Sequence, residues 1–111
     1  MSAILKVIDT ELALERAAGN EDLAKELFDM LLKELPLYRS ELQVCLADNN
    51  LTRLQEQIHK LNGASTYTGV PALKAAANDL ETKLKRGEIE NIGVMVKGML
   101  EEIDKVMVAA I

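Results

Sequence analysis

Aromatic residues are scarce in this sequence, and tryptophan is absent from it. Aromatics make up 3% of the 111 residues, whereas 49% are hydrophobic. A core of leucine, isoleucine, valine, methionine and alanine at helical spacing suits a helix bundle better than a sheet, where aromatic and β-branched residues are enriched. Two prolines and six glycines leave room for only a few breaks between elements. These scarcities predict an all-α fold.

Other missing features exclude several classes of protein. The single cysteine, Cys45, rules out an internal disulfide and fits the cytoplasm. No stretch approaches about 18 uninterrupted apolar residues, and no signal-peptide pattern opens the chain, so we expect no membrane contact by this domain. The formal net charge of -5 argues against nucleic acid or an anionic membrane as a partner. We therefore expect a soluble, cytoplasmic domain.

Polar caps and helix breakers divide the chain into five predicted helices. Gly19, Gly69 and Gly87 mark helix ends, and Pro71 marks a helix start. The expected helices span about residues 9–18, 21–47, 51–68, 71–86 and 88–110. We predict one domain over residues 1–111, an up-down four-helix bundle with a short additional N-terminal helix. Short loops favour an intramolecular bundle over a coiled-coil dimer through the last helix, so we expect a monomer.

Hydrophobic periodicity predicts which helix faces are buried. In the second helix the spacing continues past Pro36, which should therefore kink this helix rather than end it. Its predicted buried positions are Leu23, Leu27, Met30, Leu31, Leu35, Tyr38, Leu42, Cys45 and Leu46. The last helix carries a heptad seam of Ile89, Ile92, Val96, Met99, Ile103, Val106 and Ala110. We interpret Cys45 as a small core residue rather than a reactive thiol.

The only histidine, His59, is predicted to lie on the exposed face of the third helix. At roughly 100° per residue, a buried stripe is formed by Leu51, Leu54, Ile58, Leu61 and Ser65. His59 lies about 130° from the centre of that stripe, on the same side as Gln55, Asn62, Gly63 and Thr66. Gly63 costs roughly 1 kcal/mol relative to alanine within a helix. We interpret a glycine one turn from an exposed histidine as a surface that a partner approaches closely.

Four interpretations of His59 compete on the residues alone. It could be a surface histidine on a helical adapter with no catalytic function. Glu56 and His59 form one Glu-x-x-His step, but di-iron bundles need two such steps and two more glutamates, so no metal site is predicted. A histidine general base would need a matched nucleophile, and none is evident. The fourth interpretation is an imidazole that accepts and returns a phosphoryl group, which requires mainly an exposed, neutral ring on a rigid helix.

The residues around His59 also resemble a known family. The run His59-Lys60-Leu61-Asn62-Gly63-Ala64-Ser65 is similar to the His-x-Leu-Lys-Gly-Ser-Ala signature of histidine phosphotransfer (HPt) domains. Gly69 and Leu73 fit the same pattern, and further similarity lies in residues 12–19, 30–36 and 67–71. Over most of its length the chain thus resembles the C-terminal HPt domain of hybrid sensor kinases of the BarA/GacS type.

The resemblance implies roles for several residues. His59 would be the phosphoacceptor. Glu81 matches a position where related domains carry a polar residue near the imidazole, although it could equally well pair only with Lys85, four residues along its helix. Asn62 stands where the family usually has lysine, which leaves Lys60 as the nearest cation in sequence for neutralising a phosphate. Gln55, Asn62, Gly63 and Thr66 would contact the partner.

The resemblance also implies the partners. These would be receiver domains, one fused within the parent kinase and one in a separate response regulator. The receiver would supply Mg²⁺, and no cofactor is expected on this domain. The glycines are scattered singly and form no nucleotide-binding loop, so we expect a phosphocarrier without its own ATP site.

Two functions therefore stand at this point. The first is an intermediate in a multistep His-Asp phosphorelay, which accepts a phosphoryl group on His59 from a receiver aspartate and passes it to a response regulator. It would be the cytoplasmic part of a sensor histidine kinase whose membrane spans lie elsewhere in a longer chain. The alternative is a non-catalytic helical adapter or interaction domain.

Overall fold

Five α-helices make up the chain in a computed structural model that describes residues 4–110. They are α1 (Thr10–Arg16), α2 (Glu21–Ala47), α3 (Leu51–Ser65), α4 (Pro71–Lys85) and α5 (Ile92–Ala109). No strand occurs within the described range, and the predicted all-α fold is confirmed. Within the same residues, no helix combines the length and the apolar character that crossing a membrane would require.

Helices α2 to α5 form a closed four-helix bundle. Each packs on the next in chain order, and α5 returns to pack on α2, while α1 contacts α2 from outside the ring. The buried core lines the inside of this ring and comes from all four long helices. Its members are Leu31, Leu35, Leu42, Cys45, Leu54, Ile58, Leu61, Val70, Leu73, Ala77, Leu80, Leu84, Val96, Met99, Ile103 and Val106. Short connections between antiparallel neighbours account for the up-down order.

The helix starts follow from the capping residues. Side-chain oxygens of Asp9, Asn20 and Asn50 accept hydrogen bonds from the backbone N–H three residues later, at 3.0–3.1 Å. Each bond satisfies one of the amides that the first turn of a helix leaves unpaired. Pro71 is the first residue of α4, where its missing N–H costs nothing. Helix α2 runs through Pro36 without ending, as its periodicity predicted.

Helix α5 begins at Ile92, four residues later than predicted. The preceding helix ends with Gly87 at a φ of +72°, its N–H bonded to Leu84 O at 3.1 Å. The next amide, of Glu88, donates to Lys83 O at 2.9 Å. These two bonds close α4, and the left-handed turn at Gly87 takes the backbone off the helical path before α5 begins. Ile89 consequently lies outside α5 and is 42% exposed, and its place in the buried seam was predicted wrongly.

Helices α1 and α3 end earlier than predicted. Helix α3 stops at Ser65 instead of residue 68, and the Thr68 hydroxyl donates to the carbonyls of Ala64 and Ser65 at 3.2 and 3.3 Å. Such side-chain bonds compete with the backbone ladder and close a helix. Helix α1 stops at Arg16, because the backbone turns left-handed at Ala18 (φ +54°) and Gly19 (φ +82°).

Helix α2 buries a narrower face than its periodicity predicted. Leu31, Leu35 and Cys45 are buried, and burial raises the pKa of the Cys45 thiol, in agreement with a core role. Met30 is 56% exposed and Leu23 is 40% exposed, so both were assigned wrongly to the buried face. Met30 lies roughly 100° around the helix from the buried Leu31. The seven-residue α1, which packs on α2, buries none of its own residues.

Gly69 allows α1 to approach the loop between α3 and α4. Its φ is +68°, and its carbonyl accepts a hydrogen bond from the Asp9 N–H at 2.8 Å. A Cβ at this position would lie 2.5 Å from the backbone oxygen of Asp9 and 2.6 Å from the Ala13 Cβ. Both contacts are shorter than van der Waals contact allows, and the nearest one involves backbone. Only glycine therefore fits here.

We expect Gly69→Ala to destabilise the domain by about 2–3 kcal/mol, because left-handed strain and the displacement of α1 add together. Urea denaturation followed by circular dichroism would measure the loss. The matched control is Gly19→Ala, since Gly19 has a φ of +82° but no atom within 4 Å of a built Cβ. That variant carries the strain alone and should cost about 1 kcal/mol. Equal losses in the two variants would contradict the close approach of α1.

Candidate functional site

His59 projects from the exposed face of α3. Leu54, Ile58, Leu61 and Ser65 form the buried stripe of this helix, and Leu51 is half-buried at its start. The His59 side chain is 74% exposed, which confirms the position that helical spacing predicted. The histidine therefore stands on a rigid, well-packed helix, with its ring open to an approaching molecule.

Glu81 reaches His59 from the neighbouring helix α4. One carboxylate oxygen, Oε2, lies 2.6 Å from the imidazole Nδ1. Glu81 is only 6% exposed, because it lies next to the buried stripe of α4 that includes Leu80 and Leu84. A carboxylate without a proton can only accept a hydrogen bond. We therefore assign the imidazole proton to Nδ1, which leaves Nε2 with a free lone pair facing solvent.

Hydrogen bonds keep Glu81 ionised despite its burial. Burial by itself raises the pKa of the Glu81 carboxyl, but hydrogen bonds from Asn62, His59 and Lys85 outweigh it and bring the pKa below its ordinary value. Asn62 Nδ2 donates to the second carboxylate oxygen, Oε1, at 2.7 Å. Lys85 Nζ lies 3.3 Å from Oε2. Each of these donors favours the charged form over the neutral acid.

The two interpretations of Glu81 that the sequence left open are both present. Oε2 contacts His59 Nδ1 and Lys85 Nζ at the same time. The intrahelical pair with Lys85 therefore does not draw the carboxylate away from the imidazole. The hydrogen bond between His59 and Glu81 joins α3 to α4, so the sequence of either helix alone could not reveal it.

Lys85 is a cation that lines the same hollow as His59. His59, Glu81 and Lys85 line one open hollow of about 400 Å³, together with Thr52, Gln55 and Glu56 of α3. Lys60 instead lines a separate hollow with Glu34, Leu37, Tyr38, Glu41 and Gln57, on the side of α3 that faces α2. A phosphate-neutralising role for Lys60 remains a prediction. Lys85 was recognisable from its i,i+4 spacing to Glu81, but only as a partner of that carboxylate.

The four residues that were predicted to contact a partner lie in three different places on the surface. Gln55 shares the hollow of His59. Gly63 lines a smaller hollow of about 150 Å³ between α2 and α3, with Met30 and Tyr67 on its walls. A Cβ built on Gly63 would meet no atom within 4 Å. The site beside Gly63 is thus open space, and the glycine is not required for packing between helices.

Asn62 and Thr66 are joined instead to α4. Lys74 Nζ donates to Asn62 Oδ1 at 2.8 Å and to Thr66 Oγ1 at 3.0 Å. Asn62 stands where the resemblance expects lysine, and the ammonium group of Lys74 lies directly against its amide. Lys74 could not be found from the sequence, because nothing in the spacing of α4 relates residue 74 to the third helix.

Most of the chain is similar to known proteins. The family model described as "Hpt domain" matches residues 26–107. The signal transduction histidine-protein kinase BarA of Shigella flexneri is 38% identical over 100 residues, which are 89% of this chain and 11% of that protein. The sensor protein GacS of Pseudomonas syringae pv. syringae is 42% identical over 80 residues, which are 72% of this chain and 9% of that protein. The chain spans about a tenth of the length of these relatives.

A solved structure has the same architecture. The crystal structure of the HPT domain from a sensor hybrid histidine kinase of Shewanella matches with a TM-score of 0.88 and 34% sequence identity. The match covers 93% of this chain and 89% of that one. The likeness therefore extends over the whole bundle, beyond the segment around His59.

Proposed function

This chain belongs to the Hpt domain family, and on that basis we propose that it carries a phosphoryl group on Nε2 of His59 in a multistep His-Asp phosphorelay. The phosphoryl group comes from an aspartate of one receiver domain and passes to an aspartate of another. One receiver belongs to the parent kinase and the other to a separate response regulator. The observation that carries the proposal is the exposed imidazole whose Nδ1 is held by a buried carboxylate.

The transfer step follows from the state of the two ring nitrogens. The Nε2 lone pair attacks the phosphorus of the aspartyl phosphate, the N–P bond forms as the aspartyl O–P bond breaks, and the aspartate leaves as a carboxylate. The proton stays on Nδ1, so the phosphorylated ring becomes cationic. Glu81 lies 2.6 Å from Nδ1 and stabilises that charge. Transfer to the second receiver reverses the same steps.

Positioning and charge neutralisation account for most of the work in phosphoryl transfer. The α3 helix holds the ring in place, and we propose that Lys85, which lines the same hollow, meets the negative charge of the phosphoryl group. Lys60 would contribute from the side of α3 that faces α2. The receiver domain supplies Mg²⁺ and the acidic pocket around its aspartate. The phosphocarrier itself needs no cofactor in this scheme.

The surface around His59 suits a transient partner. Met30 and Tyr67, 56% and 57% exposed, flank Gly63 and offer apolar area next to the histidine helix. Leu37, 68% exposed, extends this area beside Lys60. We infer that a receiver docks with Gln55, His59 and Gly63 near its centre and with Met30, Leu37 and Tyr67 along one side. Signalling contacts of this kind are commonly small and weak.

Incubation of the domain with a receiver phosphorylated on its aspartate tests the proposal. We expect rapid appearance of acid-labile label on the domain and its loss when unlabelled second receiver is added. Radioactive ATP and magnesium alone should leave the domain unlabelled, because it has no nucleotide-binding loop. If the domain takes up no label from the phosphorylated receiver, the adapter alternative is favoured. If ATP alone labels the domain, the phosphocarrier role is contradicted.

A further inference from the structure

Asn62 connects the imidazole site to a lysine that does not touch it. Its amide nitrogen Nδ2 donates to Glu81 Oε1 at 2.7 Å, and its amide oxygen Oδ1 accepts from Lys74 Nζ at 2.8 Å. Lys74 is held in turn by Thr66 Oγ1 at 3.0 Å. A continuous row of hydrogen bonds therefore runs from Lys74 through Asn62 and Glu81 to Nδ1 of His59.

The row leaves both oxygens of the Glu81 carboxylate bonded. Oε2 accepts from His59, and Oε1 accepts from Asn62. With one oxygen free, the carboxylate could rotate, and Lys85 could draw it towards solvent, since the Lys85 side chain is 59% exposed. Asn62 prevents that rotation. A cation on the amide oxygen also polarises the amide and strengthens the N–H donor on its other side.

We propose that Asn62, supported by Lys74, is a positioning residue that holds Glu81 in the one orientation that keeps the imidazole proton on Nδ1. Neutral imidazole carries its proton on either nitrogen, and only the form protonated on Nδ1 leaves Nε2 free to attack. The charged or titratable groups that face Glu81 or share the hollow beside it are Lys85 from its own helix and His59 and Glu56 from α3, with Lys74 one amide away. None of these groups is bonded to Glu81 Oε1, which is held by Asn62 Nδ2.

The consequence for transfer rests on the proposed function, whereas the tautomer does not. The tautomer is therefore the first measurement. In the unphosphorylated, ¹⁵N-labelled domain, long-range ¹H–¹⁵N spectra report which ring nitrogen bears the proton. Wild type should show the Nδ1–H form. Asn62→Leu, which keeps the size and removes both bonds, should give a mixture of the two forms.

Further variants guard against a folding defect and against a general charge effect. Asn62→Asp keeps an oxygen for Lys74 but replaces the donor to Glu81 by an acceptor, so it should shift the tautomer in the same direction as Asn62→Leu. Lys74→Met should shift it less. Lys83→Met is the matched control, because Lys83 lies on the same helix but pairs with Glu88. Equal shifts in the two lysine variants would overturn the role of Lys74.

Transfer rates then show whether Asn62 acts through Glu81. Asn62→Leu should slow phosphoryl transfer about tenfold, the lower end of what loss of an orienting partner costs. In a Glu81→Ala background, which removes the group that Asn62 bonds, the same change should have less than about a twofold effect, because residues that act through one another are not additive.

Two results would overturn the inference. One is an unchanged tautomer in both Asn62 variants. The other is a full tenfold loss in the Glu81→Ala background, which would mean that Asn62 contacts the partner directly. Failure of the wild-type domain to accept label would overturn the proposed function instead, and the tautomer measurement would still decide the positioning role.

Discussion

Replacing His59 with glutamine should abolish all label that the domain receives from a phosphorylated receiver. No other imidazole exists in the chain, so no second nitrogen of this kind can take over. The fold should be unaffected, because the side chain is 74% exposed and the glutamine amide can still donate to Glu81. Surface substitutions of this kind change stability by roughly 0.5 kcal/mol or less.

Two measurements on one preparation check this expectation. Circular dichroism and the melting temperature should be close to those of wild type, while the label falls to background. Label that persists on the His59→Gln variant would contradict the assignment, and its chemistry would identify the source. A phosphorylated aspartate or glutamate is rapidly lost in base, whereas phosphohistidine is lost in acid.

Gly63→Gln should slow transfer while it stabilises the domain. Gly63 lies one turn after His59, and a Cβ there meets no atom within 4 Å, so the new side chain enters open space instead of the core. Glutamine is the better helix former by several tenths of a kcal/mol, roughly 0.5 or more. The same side chain occupies the surface beside the imidazole that we propose the receiver enters. Misplacing the reacting groups by about 1 Å can cost about a hundredfold in rate, and we expect at least about a tenfold loss.

Gly93→Gln on α5 is the matched control for Gly63→Gln. Gly93 is an exposed helical glycine with the same open surroundings, but it lies on a helix that contributes nothing to the His59 hollow. It should gain similar stability and transfer at the wild-type rate. Transfer at the wild-type rate by Gly63→Gln would contradict the approach of a partner at this position. A lower melting temperature of Gly63→Gln would show that the glycine serves packing after all.

The bounds of α2 show what capping residues can predict from the sequence alone. They agree with the prediction at both ends, because Asn20 caps the first turn and the Asp48-Asn49-Asn50 turn follows the last. Capping acts within four residues, so it can be read from a short stretch of sequence. The start of α5 was misplaced for the converse reason. The left-handed closure at Gly87 also uses the Glu88 amide, and the extent of a closure depends on backbone geometry rather than on composition.

The exposure of Met30 shows a second feature that the sequence pattern of α2 does not predict. Hydrophobic periodicity predicts which face of a helix is buried but not how wide the buried face is. That width depends on how closely the neighbouring helices pack against it. In this bundle the stripe is narrow at Leu31 and Leu35, and Met30 remains outside it. That residue consequently joins Tyr67 in the apolar surface beside Gly63.

The sequence by itself determined the helical class of this protein, most helix boundaries and the exposed position of His59. These follow from composition, capping and the 3.6-residue period, which act within one helix. Only the tertiary structure decided which groups surround the imidazole. Glu81 lies 22 residues from His59, and Lys74 reaches Asn62 across the contact between α3 and α4. The relative shift and rotation of two packed helices arise from the whole bundle, so no spacing within either helix encodes those contacts.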